Sequence, residues 1–322
     1  MVEKYSRLLE LEIRKQKYGL QPVSLYEPIR YLMGLGGKRL RPMFCILAYS
    51  LYRSDIEKIL PFAVAVEAFH NFTLMHDDIM DKAPLRRGMP TVHEKWNVNT
   101  AILSGDVMLV KVYEMFLPLK DQKLKEVLVA FNKCACEVCE GQQWDMEFEG
   151  RKDVTERQYL NMIKLKTAVL LGFSLELGGM LAGASHRDCG ALRDFGVNIG
   201  LGFQLKDDLL DAYANARKFG KQIGGDIIAN KKTFLLIKAL ELASPRQRRN
   251  LQHWLSLKRF DKTEKVMAVK EIFDALMISR LTEKKINNFF KKGFSSVETL
   301  SCSDKAKSRL VQFAELLINR ES

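Results

Sequence analysis

Between Pro118 and Pro245 the sequence contains no proline, and the whole chain of 322 residues has only eight. So long a stretch without a breaker leaves room for several long helices. Gly/Ser-rich linkers and low-complexity runs are also missing, and the expected fold is all-α, one large domain over residues 1–322. The first residues, Met1 to Arg14, lack the apolar centre of a signal peptide. The longest apolar candidate, Thr167 to Ser185, is interrupted by Glu176 and by Gly172, Gly178, Gly179 and Gly183. A membrane span needs about 20 mostly uncharged residues. This stretch instead predicts a central helix packed closely through small residues, in a cytoplasmic protein with no membrane span.

Cysteine is sparse. Of six, Cys134, Cys136 and Cys139 cluster, but no second ligand pair follows at matching spacing, so zinc is not expected. Reduced cysteines in a helix core are expected instead. The formal net charge of +12 suits an anionic partner, yet no RNP, zinc-finger or helix-turn-helix signature accompanies it, and nucleic acid is not expected. Much of the excess lies between Lys258 and Lys307, mixed into helical periodicity, which reads as a solvated face.

Two segments stand out against this background. Asp77 to Asp81 reads Asp-Asp-Ile-Met-Asp, and Asp207 to Asp211 reads Asp-Asp-Leu-Leu-Asp. At about 100° per residue, the first and last aspartates of each copy share one helix face, one turn apart. Like charges at that spacing cost an isolated helix a few tenths of a kcal/mol, and both copies sit in apolar runs (Phe69, Phe72, Leu74 and Met75; Phe203 and Leu205). A rule broken twice in the same way points to a functional site. Carboxylates of this kind suit a hard divalent cation such as Mg²⁺, with phosphate oxygens and water completing its shell. The spacing is not that of a calcium-binding loop.

Cations accompany both motifs. Ser54 with Glu57 predicts a capping box, and Pro61 the opening of a helix of 21 residues that stops before Pro84 with the aspartates at its C-terminal end. The helix dipole there disfavours anions, which makes neutralisation by metal more necessary. Next comes Leu85-Arg86-Arg87-Gly88, read as a loop carrying two guanidinium groups suited to phosphate. Gly36-Gly37-Lys38-Arg39-Leu40-Arg41-Pro42 is a second glycine-and-cation segment that does not fit a P-loop. His70 lies close to the line of Asp77 on the same helix. Thr155 with Gln158 caps a later helix whose apolar run holds Lys166 and Thr167, and a lysine there must reach water or find an anion. After the second motif, Gly220 leads into a segment bracketed by Lys221 and Lys231 that contains Gly224, Gly225 and Asp226, either a flap over phosphate or an ordinary loop.

Taken together, these segments resemble the trans-isoprenyl diphosphate synthases, the polyprenyl synthetase family of farnesyl and geranylgeranyl diphosphate synthases. The resemblance runs in one order from Gly36 through His70, the first acidic motif to Thr91, Gly141-Gln142, Lys166-Thr167, Phe203-Gln204 and the second acidic motif, to Gly224-Gly225-Asp226, Lys231 and Arg320. One departure is Asn230, where many members carry glycine before the distal flap lysine.

The resemblance implies a single bundle of long helices around a deep central cavity, usually homodimeric. It implies Mg²⁺-dependent head-to-tail condensation of isopentenyl diphosphate with an allylic diphosphate. Asp77 and Asp81 would bind two Mg²⁺ ions and Asp207 a third, supported by Asp78, Asp208 and Asp211. Arg86, Lys166, Lys221 and Lys231 would grip the allylic diphosphate; Lys38, Arg41, His70 and Arg87 would hold isopentenyl diphosphate. Gln204 and a carbonyl oxygen of Lys166 or Thr167 would face the carbocation. Phe72 and Thr73, with Phe69 a turn deeper, would gauge a C15 to C20 product, C20 favoured. The alternatives are a terpene cyclase or head-to-head synthase, which would not need the isopentenyl site, and a non-catalytic subunit, which usually loses one acidic motif.

Overall fold

A computed structural model describes residues 1–213 and 224–318. Its helices, in chain order, are α1 (Val2–Lys15), α2 (Val23–Gly34), α3 (Leu40–Tyr49), α4 (Leu60–Met80), α5 (Val92–Lys95), α6 (Val98–Phe116), α7 (Asp121–Gly150), α8 (Glu156–Ile163), α9 (Val169–Ala182) and α10 (His186–Tyr213). After the undescribed segment come α11 (Gly225–Ile228), α12 (Phe234–Leu242), α13 (Pro245–Ser256), α14 (Lys262–Ala275), α15 (Ile278–Glu298) and α16 (Asp304–Ile318). Among the described residues, the one exception to helix is a hairpin of β1 (Leu85–Arg86) and β2 (Met89–Pro90). The all-α expectation holds. The chain divides into two compact units: residues 1–134, 170–193 and 299–310 in the first, and 135–169, 194–298 and 311 onward in the second.

The first unit is built on α4. Every residue from Ala63 to Phe69 is buried, as expected of a helix apolar on all sides. The aromatic core beside it joins Phe69, Phe116 and Phe173 to Phe131, with ring centroids 5.1, 5.4 and 5.8 Å apart. Helix α1 contributes Tyr5, Leu9 and Ile13, four apart on one face. The apolar run of α9 is buried here, as its small residues predict. A Cβ on Gly178 would lie 2.3 Å from the Cys45 carbonyl oxygen, so only glycine lets α9 approach α3 this closely. Asp188, also buried, accepts hydrogen bonds from Tyr52 Oη (2.8 Å), from the Ser301 N–H (3.3 Å) and from the Ser301 hydroxyl.

In the second unit, α8 opens on the capping box of Thr155 and Gln158 that the sequence predicts. Its first residue, Glu156, takes both Lys238 of α12 and Lys285 of α15 at 2.6 Å. Residues Lys164–Ala168 then widen into one π turn, an uncommon geometry that recurs at functional sites. Two glycines accommodate it. A Cβ on Gly141 of α7 would meet the Lys166 backbone nitrogen at 2.1 Å, and one on Gly200 of α10 would meet Ala168 Cα at 2.7 Å.

Four local expectations change. The Ser54 capping box does not form; Asp55 begins the short 3₁₀ turn Ile56–Lys58 without a side-chain cap, its carboxylate engaged by Lys58 and Tyr49 instead. The segment Leu85 to Gly88 is not a plain loop but half of the hairpin. Arg87 (φ 53°) and Gly88 (φ 77°) both occupy the positive-φ region that a two-residue type I′ connection requires. Only Cys134 of the clustered cysteines is in the core, because Cys136 and Cys139 face outward from α7. Finally, the Lys258 to Lys307 region is not uniformly a solvated face, since Lys265 is fully buried.

Candidate active site

Helix α4 ends where the sequence predicts, at Met80, with Asp81 as its C-cap. The backbone N–H of Ala83 returns to Asp78 O (2.9 Å) and that of Lys82 (φ 50°) to Ile79 O (3.2 Å). This is a Schellman closure, which satisfies carbonyls that the helix end would leave open. It presents the acidic motif on a closed, rigid terminus. Asp78 is buried and held on both oxygens by Arg86, from Nε at 2.7 Å and Nη2 at 2.6 Å. Asp77 is half-buried with Arg86 Nη2 4.0 Å away, and Asp81 is exposed. The arginine predicted for phosphate is thus seated on the motif by a fork-to-carboxylate contact.

The Gly36 to Pro42 segment sorts its cations by backbone shape. Arg39, at φ 46°, turns into the protein, pairs with Glu67 of α4 (2.6 Å) and Glu10 of α1 (2.9 Å), and donates to Met33 O. It is buried and structural. Removing one partner of such a buried pair costs about 3–5 kcal/mol. Arg41 instead donates from Nη1 to His70 Nε2 at 3.0 Å, so Nδ1 of His70 carries the ring proton. Burial, with Arg41 and Arg87 nearby, holds the His70 imidazole well below its ordinary range, and it is neutral at pH 7. Arg87 donates from Nη1 to Gly36 O. A Cβ on Gly37 (φ 136°) would strike its guanidinium at 2.9 Å, so glycine makes room for it. Arg41, His70 and Arg87 are therefore brought together, with exposed Lys38 on the same segment.

In the second unit, Asp208 is buried and accepts from the Tyr159 hydroxyl and from Gln204 Nε2 (3.0 Å). Gln204 Oε1 in turn accepts from Thr167 Oγ1 at 3.2 Å. Burial and the adjacent Asp226 push the Asp208 carboxyl up to about 7, while the bonds from Tyr159 and Gln204 work against that rise. Asp211 Oδ2 accepts the Asp226 N–H at 2.9 Å, which fixes the start of α11 to the second motif. Lys166, on the π turn, finds its anion in Asp145 at 2.6 Å. Asp207 and Lys231 are half-buried. Lys221 and Arg320 lie outside the described residues.

Tyr159, Asp145 and Asp226 carry this arrangement but were not among the expected site residues. Asp145 follows Gly141 by four, one turn along the same face of α7, and Gly141 is where α7 touches Lys166. That spacing was the available signal. No comparable signal marks Tyr159.

A model of the polyprenyl synthetase family matches residues 22–274. The chain belongs to this family. It is similar to the geranylgeranyl diphosphate synthase of Methanosarcina mazei, 38% identical over 309 residues that cover 94% of this chain and 91% of the other. Among solved structures, one described as geranylgeranyl pyrophosphate synthase superposes with a TM-score of 0.95 at 40% identity, covering 100% of this chain and 99% of that one. The geranylgeranyl pyrophosphate synthetase of Pyrococcus horikoshii gives 0.91 at 32%, covering 99% and 97%. This polyprenyl synthetase is a prenyltransferase, and its family uses Mg²⁺.

The donor set fits that ion. Every candidate ligand is a hard carboxylate oxygen, and burial first, then the nearby Asp226 and Asp207, disfavour the charged form of Asp208, a cost that a divalent cation would relieve. Among the described residues no three such side chains already gather closely enough to hold an ion by themselves. Substrate oxygens and water suit the remaining positions of a Mg²⁺ shell.

Proposed function

We propose that this polyprenyl synthetase joins isopentenyl diphosphate head to tail to dimethylallyl, geranyl or farnesyl diphosphate, giving an all-trans C20 product. The observation that carries this reading is the presence of two intact acidic motifs, each with its own cations: Arg86 with Arg41, His70 and Arg87 in one unit, and Lys166 and Lys231 in the other. A terpene cyclase would have no use for the first cluster as a second diphosphate cradle, and a non-catalytic subunit would have no use for both motifs. The chain is one domain. Four boundaries between its compact units, at 134/135, 169/170, 193/194 and 310/311, fall inside continuous helices, where no linker interrupts the chain.

Asp77 and Asp81 would hold two Mg²⁺ ions and Asp207 a third. Asp78, Asp208 and Asp211 suit supporting roles, since Arg86, Tyr159 with Gln204, and the Asp226 N–H already orient them. When bound, the metal would supply Lewis-acid neutralisation of the departing diphosphate. Arg86, Lys166, Lys221 and Lys231 add fixed positive charge to the same group, which favours the charge-separated transition state over the ground state. Lys38, Arg41, His70 and Arg87 orient isopentenyl diphosphate, with neutral His70 donating from Nδ1. The isopentenyl double bond attacks the allylic carbon as its bond to diphosphate oxygen breaks, and the released diphosphate takes the proton. The Gln204 oxygen faces the cation, as does a Lys166 or Thr167 carbonyl. A π turn shifts the helical hydrogen-bond ladder by one residue, which suits a carbonyl aimed away from the helix.

Product length is set on the wall of α4. Phe72 lies about 7.5 Å along the axis from Asp77. It is buried between Phe69 (5.7 Å) and His76 (4.9 Å), and His76 rests against Gly105 of α6. Thr73 turns its hydroxyl back onto His70 O, leaving little bulk beside Phe72. Purified enzyme given Mg²⁺, isopentenyl diphosphate and each allylic primer should yield C20, and Phe72→Ala should extend the product by at least one isoprene unit. Chromatography of dephosphorylated products reads this out. An absence of condensation sinks the activity. An unchanged product with the melting temperature sharply lowered means that Phe72 is only core, where its loss would cost about 3–5 kcal/mol.

The assembly is a homodimer. Helix α6 exposes Ile102, Leu103 and Val110, and its C-cap Leu117 is exposed as well, the last three at seven-residue spacing. Sedimentation should give twice the 36.9 kDa chain mass, and Val110→Lys should shift it toward the monomer. A monomeric native protein would refute this.

A further inference from the structure

Burying an ammonium group is costly unless it is paired, and Lys265 is fully buried with no carboxylate partner among the described residues. Its Nζ donates to Asn230 Oδ1 at 2.6 Å and to Ile228 O at 3.2 Å, and it lies 4.2 Å from the centre of the Phe260 ring. Burial accordingly lowers its pKa. Both hydrogen bonds concern one short stretch. Ile228 is the last residue of α11, and the segment after it leads to Lys231.

That stretch closes as a second Schellman motif. The Lys231 N–H returns to Asp226 O at 2.9 Å, the Asn230 N–H to Ile227 O at 3.2 Å, and Asn230 takes φ 57°. Glycine is the usual residue at this left-handed position, and asparagine is the tolerated substitute. Asparagine adds what glycine cannot. Its Oδ1 accepts from Lys265, while its Nδ2 donates to Leu255 O at 3.2 Å. The turn is thereby tied to α13 and to the first turn of α14. Asp261 caps that turn through the N–H groups of Thr263 and Glu264 (2.8 and 2.9 Å). The neighbouring Val266 leaves no space for a Cβ on Gly224, which would meet it at 2.7 Å.

We propose that Lys265 is a positioning residue for prenyl transfer: through Asn230 it locks the closing turn of α11 and so fixes where Lys231 meets the allylic diphosphate. The inference rests on the reading of Lys231 given above. The start of α11 is held by Asp211 and its end by Lys265, so this short helix is fixed at both ends just before Lys231.

Steady-state kinetics on the full chain, with each substrate varied against saturating partner, test it. Hydrogen bonds to charged groups are strong enough that Lys265→Met should raise the KM for the allylic substrate about tenfold. The KM for isopentenyl diphosphate should stay within about twofold, because its cradle is elsewhere. Asn230→Gly keeps the left-handed turn but loses the acceptor, and should reproduce most of the effect. Asn230→Asp keeps an acceptor of the same reach for Lys265 and loses only the donor to Leu255 O, so its allylic KM should stay within about twofold of wild type. Adding Lys265→Met to Asn230→Gly should then change little, as expected of two residues acting through one contact. Lys231→Ala is the separate control. If it raises the allylic KM while Lys265→Met and Asn230→Gly lower only the melting temperature, Lys265 is merely structural and the proposal fails. If Lys231→Ala leaves the allylic KM unchanged, the assignment of Lys231 itself is wrong.

Discussion

Asp77→Ala and Asp207→Ala should each reduce kcat by about 10³ or more while leaving the fold intact. A metal ligand contributes several kcal/mol of transition-state stabilisation, and about 4 kcal/mol corresponds to about 10³ in rate. The surroundings explain why the fold should survive. Asp78 and Asp208 are the buried members of each motif and carry the structural contacts, to Arg86 and to Tyr159 with Gln204. Asp77 and Asp207 are half-buried on the same helices. Removing either carboxylate relieves like-charge repulsion with Asp81 or Asp211 one turn on, an effect of a few tenths of a kcal/mol. Melting temperature should therefore hold or rise slightly while Mg²⁺-dependent turnover collapses. Near-normal turnover in either variant would rule out the two-motif mechanism. A large fall in melting temperature would instead move that aspartate from chemistry to structure.

Gly141→Ala should lower both stability and activity, against the direction that helix propensity alone dictates. In the middle of α7 the substitution would ordinarily gain about 1 kcal/mol. Here the new Cβ would sit 2.1 Å from the Lys166 nitrogen and 2.6 Å from the Leu165 carbonyl carbon, both backbone atoms that no rotamer change can clear. Overpacking of this kind costs about 1–3 kcal/mol. The displaced π turn carries Lys166 and Thr167, and a misplacement of about 1 Å can cost about a hundredfold in rate. Thermal melting and kcat/KM should fall together. A stabilised variant of normal activity would show that α7 and the π turn can separate at no cost.

What the sequence revealed and what it concealed follow from the range of the forces involved. The aspartate motifs, the Thr155–Gln158 cap and the extent of α4 depend on residues within one or two turns of each other, and all were legible. Lys38, Arg39 and Arg41 read alike as cations. Only the left-handed φ of Arg39, with Glu67 28 residues away, separates the buried one from the others. Lys265 passed for a surface charge because its helix is rich in charge, and nothing nearby marks Asn230, 35 residues earlier, as its partner. Arg86 was expected beside the first acidic motif and lies on Asp78, whereas Arg87 reaches Gly36 O. Their hairpin was missed because two strands of two residues give no alternating pattern. The Ser54 box failed for a local reason, since Asp55 is engaged by Lys58 and Tyr49.

The contact between Asp188 and Ser301 also bears on synthesis. The two residues are 113 apart in sequence, and at ~5–20 residues per second a ribosome needs roughly 6–23 s to go from one to the other. Until then the Asp188 carboxylate has Tyr52 but not the three donors that satisfy it in the finished protein. Its burial, and with it the completion of the first unit, must wait for the C-terminal segment at 299–310. An emerging chain thus keeps this end of the unit open to water, and to chaperones, until residues 299–310 have been added.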